Sequence, residues 1–163
     1  MDHIDFEWLP EAYAGRGELE IRVNGRPLRE IFREVEAPFT TQPDKRAAPG
    51  AYRGMHEYGL MKSVLWQFQG RRGSHLWSGP QDKTVLQACG SCGETACWPL
   101  MARIELERTT VVWNDFEQPH RRGRGRLWDY GDLAFVFGRR QYMESLRAAD
   151  AAVREWRRAQ PGS

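Results

Sequence analysis

Cys89, Cys92 and Cys97 are the only cysteines in the chain, and they fall within one short stretch, Cys89-Gly-Ser-Cys92-Gly-Glu-Thr-Ala-Cys97-Trp98-Pro99-Leu100. So close together, they cannot staple distant segments with disulfides, and the fold has to be held by a buried apolar core. The chain has 163 residues, of which 40% are hydrophobic and 12% aromatic, which predicts one domain with enough material for such a core. An odd cysteine count suits a reducing compartment, where thiols serve metals or packing. There is no apolar run of about 18 residues and no charged-then-apolar leader, so neither a membrane span nor a secretory signal is expected. A cytoplasmic location follows as the expectation.

Hydrophobic periodicity predicts an α+β fold in a single domain spanning residues 1–163. Ile4, Phe6 and Trp8 alternate with acidic residues, and Leu19, Ile21 and Val23 alternate with Glu18, Glu20 and Arg22, which reads as two half-buried strands. Asn24-Gly25 ends the second strand, and Pro27 opens a helix whose apolar face is Leu28, Ile31, Phe32 and Val35, stopped by Pro38. The opening unit, 1–37, is therefore β-β-α. A long loop over 38–60 follows, and Val64, Trp66 and Phe68 alternate as a short strand would. The cysteine turn and a hairpin occupy 84–118, with Ala102, Ile104 and Leu106 on the first arm and Val111 to Phe116 on the second. A short strand at Ala134 to Phe137 precedes a helix over 139–158. Its stripe of Tyr142, Leu146, Ala149, Val153 and Trp156 is spaced to dock on the antiparallel sheet.

The cysteines have the spacing of a thiolate metal site. Cys-x2-Cys lets two sulfurs of one tight turn reach an ion about 2.3 Å away, and Gly90 and Gly93 supply the backbone freedom of that turn. Cys97 would be a third ligand. A structural zinc ion needs four protein ligands, and His120 is the favoured fourth, because antiparallel pairing of the hairpin brings the segment after its second arm toward Cys97. His75 ranks second; His3 and His56 follow. The competing reading is of small buried thiols, or of a redox pair with a bystander.

A net charge of +2 does not by itself call for a polyanionic partner. Arg121, Arg122, Arg124 and Arg126 cluster in a Gly-punctuated stretch and are candidate anion contacts, their guanidinium groups being planar forks of donors. A solvated loop is the simpler reading, and sequence-specific nucleic-acid contact is not expected, since direct readout needs rigidly held side chains.

Taken together, Cys92-Gly-x3-Cys97-Trp98-Pro99-Leu100, Val112-Trp113-x2-Phe116-x-Gln118-Pro119-His120-Arg121, Trp128-x-Tyr130 and Phe135-x-Phe137-x3-Gln141-Tyr142 resemble a group of small uncharacterised bacterial proteins. The resemblance covers roughly Leu86 to Leu146. No activity is known for that group, and the Arg/Gly stretch before Trp128 is longer here. The resemblance implies that the cysteines and His120 form one constellation.

Two functional classes remain. The first is a zinc-stabilised interaction or regulatory module, immunity- or adaptor-like, with a protein partner and no catalysis. The second is a small metal- or thiol-dependent enzyme using Cys97 and His120, with Asp115 or Glu117 orienting the imidazole. No phosphate-binding Gly loop, His-Glu-x2-His or nucleophile elbow is present, which favours the first.

Overall fold

In the computed structural model, which describes residues 1–39, 48–60, 63–70, 82–121 and 128–162, the chain forms two antiparallel sheets and four helices in one α+β domain. Strand β1 (Ile4–Leu9) pairs with β2 (Glu18–Val23), which pairs with the short β3 (Arg26–Pro27). Between β1 and β2 runs a one-turn segment, α1 (Ala12–Gly15), whose Tyr13 and Ala14 sit in the left-handed region at φ 53° and 54°. The β2–β3 turn is Asn24-Gly25, both with positive φ, as a primed hairpin turn requires. Pro27 then caps α2 (Leu28–Glu36), which buries Leu28 and Phe32 and leaves Ile31 and Val35 half-buried.

The second sheet has the order β4-β5-β6-β7-β8: β4 (Tyr52–Arg53), β5 (Thr84–Cys89), β6 (Leu100–Leu106), β7 (Thr110–Glu117) and β8 (Phe135–Gly138). The expected single sheet is thus two sheets, joined by backbone bridges at Leu19–Met55 and Asp2–Phe137. The predicted hairpin is β6–β7. Strand β5 was not foreseen, because all six of its residues are buried and a strand buried on both faces has no alternation to read.

The strand expected at Val64 to Phe68 is instead a helix, α3 (Val64–Gln67). The Ser63 hydroxyl accepts the Trp66 N–H at 2.9 Å, a side-chain cap. Val64, Gln67 and Phe68 are buried while Trp66 is only half-buried, a helical spacing and not a strand's. The loop expected over 38–60 carries β4, and its residues 40–47 lie outside the described residues, as do 71–81 with His75.

Helix α4 (Arg139–Ala159) lies where the 139–158 stripe predicts, packed chiefly on β1 and also on β7, β8 and α3. It covers the free edge of β1 with polar side chains: Gln141 accepts the Ile4 N–H at 3.1 Å and donates to the Ile4 carbonyl at 2.5 Å, and Ser145 accepts the Phe6 N–H at 2.9 Å. An edge strand that would otherwise offer unpaired backbone groups is thereby closed. On the apolar side, Phe6, Phe68, Trp113, Phe137 and Tyr142 form one aromatic cluster with centroids 5.1 to 6.3 Å apart. The buried Tyr142 hydroxyl is satisfied, donating to the Phe68 carbonyl at 2.7 Å and accepting from the Trp113 indole at 3.2 Å. Trp156 departs from expectation in being half-buried, against Trp8 at 5.3 Å.

Leu146 is fully buried, so Leu146→Ala is expected to lower stability by about 2–5 kcal/mol in denaturant titration. Trp156→Ala should cost less than Leu146→Ala, because part of its surface already faces water.

Candidate metal centre

The cysteine turn is the connection between β5 and β6. Cys89 ends β5, with Tyr52 opposite it on β4, and the chain returns into β6 at Leu100 after Pro99, so Cys97 lies in the turn and does not open the strand. The Gly93 N–H donates to the Cys89 carbonyl at 2.9 Å and the Cys89 N–H to the Glu94 carbonyl at 3.2 Å, which folds the Cys-x2-Cys segment back over its first residue. Gly93 takes φ +77°, the conformation that favours glycine.

Three sulfurs converge there. The Sγ atoms of Cys89, Cys92 and Cys97 lie within 4.8 Å of one another, all three thiols are free, and no other group of three such ligands comes together among the described residues. A tetrahedral ion with bonds of about 2.3 Å sets its sulfurs about 3.8 Å apart, so the spacing can hold a metal ion. Cys89 is buried while Cys92 and Cys97 are exposed. Burial alone would push the Cys89 thiol up, but the backbone N–H groups of Cys92 and Ser91 and the thiols of Cys97 and Cys92 stabilise its thiolate and hold it below its ordinary value. The Cys97 thiol is pushed up to about 12, first by its hydrogen bond with Cys92, then by burial and by the neighbouring Cys89. The arrangement thus favours the thiolate at Cys89 over Cys97, and a bound cation would strengthen that preference.

The histidines are placed unequally. His120 stands beside the turn in a short turn of helix, Pro119–Arg121: its Nε2 lies 3.0 Å from the carbonyl of Ala96, the residue before Cys97, and its ring stacks on Trp98 at 5.8 Å. It is close to Cys97 along this contact but is not a member of the three-sulfur group. His3 is held by Asp5 at the start of β1. His56 is buried with Nδ1 accepting the Tyr58 N–H, which leaves the proton on Nε2 in its neutral form and no lone pair there for a metal. Burial keeps the His56 imidazole below its ordinary value, helped by Arg16 and Arg53 and opposed by Glu94 and Glu57.

Two supports of the turn went unseen in the sequence. The first is Tyr13, whose hydroxyl donates to the Cys92 carbonyl. Its ring lies between the Arg53 guanidinium at 4.2 Å and the stacked His56 ring at 5.2 Å. The left-handed backbone at Tyr13 and Ala14 costs about 1–3 kcal/mol each, and the Gly15 and Gly17 that follow were the available sign of an unusual turn. The second is Glu36 at the end of α2, which is fully buried and accepts from the Tyr52 hydroxyl at 2.5 Å, the Tyr130 hydroxyl at 2.6 Å and the Gly50 N–H at 2.9 Å. Tyr52 in turn accepts from Gln118 at 3.4 Å, and Gln118 donates to the Pro99 carbonyl at 3.0 Å while accepting the His120 N–H at 3.1 Å. One polar network therefore fixes both ends of the cysteine turn and the backbone of His120. The Gln118-Pro119-His120 string is positioned by this network.

Of the candidate anion contacts, Arg121 lies over Trp98 at 5.1 Å and over Trp128 at 5.3 Å, and Arg122, Arg124 and Arg126 lie outside the described residues. No described helix is long and apolar enough to cross a membrane.

Gly93→Ala is expected to destabilise the protein by more than about 1 kcal/mol, since a Cβ there meets the Tyr13 hydroxyl at 2.5 Å and the positive φ strains any L side chain. Glu36 titrates in the opposite sense to a salt-bridged acid: burial pushes its carboxyl up, against the pull of Tyr130, Tyr52 and Gly50. Its neutral form is favoured by folding, so that contribution is full below the ordinary carboxyl value and is lost as pH rises through the raised folded value. Stability measured against pH should therefore fall for the native chain relative to Glu36→Gln as pH climbs through that window; parallel profiles would disprove it. No family model, curated protein or solved structure matches the chain, and its function has to be read from this site.

Proposed function

We propose that the chain is a non-catalytic interaction or regulatory module, immunity- or adaptor-like, stabilised by one zinc ion. The observation that carries this reading is the convergence of the three cysteine sulfurs on a turn braced by Tyr13, Tyr52 and Gln118. A soft thiolate set selects zinc over hard cations, and the ion's binding energy becomes folding energy for the turn. His120 would complete the tetrahedron by exchanging its contact with the Ala96 carbonyl for the metal. The partner is a protein, with no sequence-specific nucleic acid and no membrane. Tyr58, 73% exposed, supports this: it lines a groove of about 520 Å³ with Trp156, Arg16 and Arg157, and aromatic and arginine side chains are the enriched types of protein interfaces.

The enzyme reading is less well supported. A nucleophilic cysteine needs a depressed pKa, whereas the Cys97 thiol is pushed up to about 12, and the His120 Nε2 is directed at a carbonyl.

Protein purified without chelator is expected to carry about one zinc per chain by elemental analysis, and a chelator should lower its melting temperature by several degrees or more. His120→Ala should weaken zinc retention less than Cys89→Ser, because it leaves all three sulfurs. Metal-free protein that melts with the metal-loaded form would sink the proposal.

A further inference from the structure

The turn between β6 and β7 and the first three turns of α4 line an open cleft of about 610 Å³. Arg108 stands on one lip, and Arg139, Arg140 and Arg147 on the other, with Met143 between them and Glu144 the single carboxylate among the lining side chains. The lips are fixed to each other: the Arg139 N–H donates to the Thr109 carbonyl at 2.9 Å and its guanidinium to the Glu107 carbonyl at 2.6 Å. Arg108, Arg140 and Arg147 are exposed, and among the described residues none of them makes an ion pair.

This placement gives the cleft a surplus of positive charge. Four guanidinium groups line it with one carboxylate, Glu144, and solvent screens their mutual repulsion only in part. Two of them, Arg139 and Arg140, also open α4, whose first turn holds no acidic residue, although the dipole there disfavours cations. An anion entering the cleft reverses both terms, and the guanidinium forks match the oxygens of a phosphoryl group. No aromatic ring lines the cleft, so a nucleobase would find nothing to stack on. The surplus of positive charge along the cleft favours a terminal phosphate, with close to two negative charges at pH 7, over a diester with one.

We infer that the cleft between the β6–β7 turn and the start of α4 is a binding site for a phosphate monoester dianion, held by Arg108, Arg139, Arg140 and Arg147. The site is separate from the cysteine turn and does not depend on metal.

Calorimetric titration of the full chain at about 0.15 M salt tests it with four probes: glycerol 3-phosphate, a short peptide carrying one phosphoserine, the same peptide with serine, and duplex DNA. The phosphorylated peptide is expected to bind at least about tenfold more tightly than its serine form, and Arg140→Ala combined with Arg147→Ala to remove at least about tenfold of that affinity. Both side chains are exposed, so circular dichroism and melting temperature of the double variant should match the parent. Equal binding of glycerol 3-phosphate identifies a small-molecule monoester as sufficient; tighter binding of the peptide identifies a protein-borne phosphate. The inference is overturned if neither monoester binds, if the double variant binds as well as the parent, or if DNA binds more tightly than both, which would mark a non-specific polyanion surface.

Discussion

A buried carboxyl at the end of α2 is the interaction on which the arrangement around the cysteines depends. Glu36 has no contact with solvent, and removing such a group from water is costly unless its oxygens are fully used. Three donors from two parts of the chain meet that demand: Gly50 and Tyr52 at the start of β4, and Tyr130 before β8. Tyr52 faces Cys89 across the sheet and passes the network to Gln118, which holds Pro99 and His120. Satisfying one acid thereby locates the beginning of the cysteine turn, its end and the histidine beside it.

The turn itself is a balance of strain and charge. Backbone in the left-handed region at Tyr13, Ala14 and Gly93 brings the Tyr13 hydroxyl onto the Cys92 carbonyl, and the N–H groups released by the tight Cys-x2-Cys fold point at the Cys89 sulfur. A site arranged to favour one thiolate among three close sulfurs is electrostatically ready for a cation. The exposed face of Cys92 and Cys97 leaves a route by which it can arrive.

Arginine shows how far tertiary context sets the role of one residue type. Arg29 and Arg53 neutralise the buried carboxylates of Glu20 and Glu18, at 2.8 and 2.6 Å. Arg121 spreads over Trp98 and Trp128. Arg108, Arg139, Arg140 and Arg147 instead gather around a cleft with one acid between them. The charges of the Arg/Gly stretch are neighbours in the chain, whereas the four of the cleft are distributed over two segments that meet where Arg139 bonds Thr109.

Elements whose burial has a period were legible from the residues alone. The stripe from Tyr142 to Val153 marks α4 nearly to its ends, and alternation marks β1, β2, β6 and β7, because a half-buried helix or strand writes its geometry into neighbouring positions. The cysteine spacing likewise announces three ligands that a local turn can bring together. Strand β5 was hidden because both of its faces are covered, and α3 because Val64, Trp66 and Phe68 satisfy a strand's pattern until the Ser63 cap and the burial of Gln67 are known. The division into two sheets, the reach of Tyr13 to Cys92, the Glu36 network and the four-arginine cleft join residues tens of positions apart. Such contacts depend on which surfaces pack together once the whole core is buried, and no local period records them.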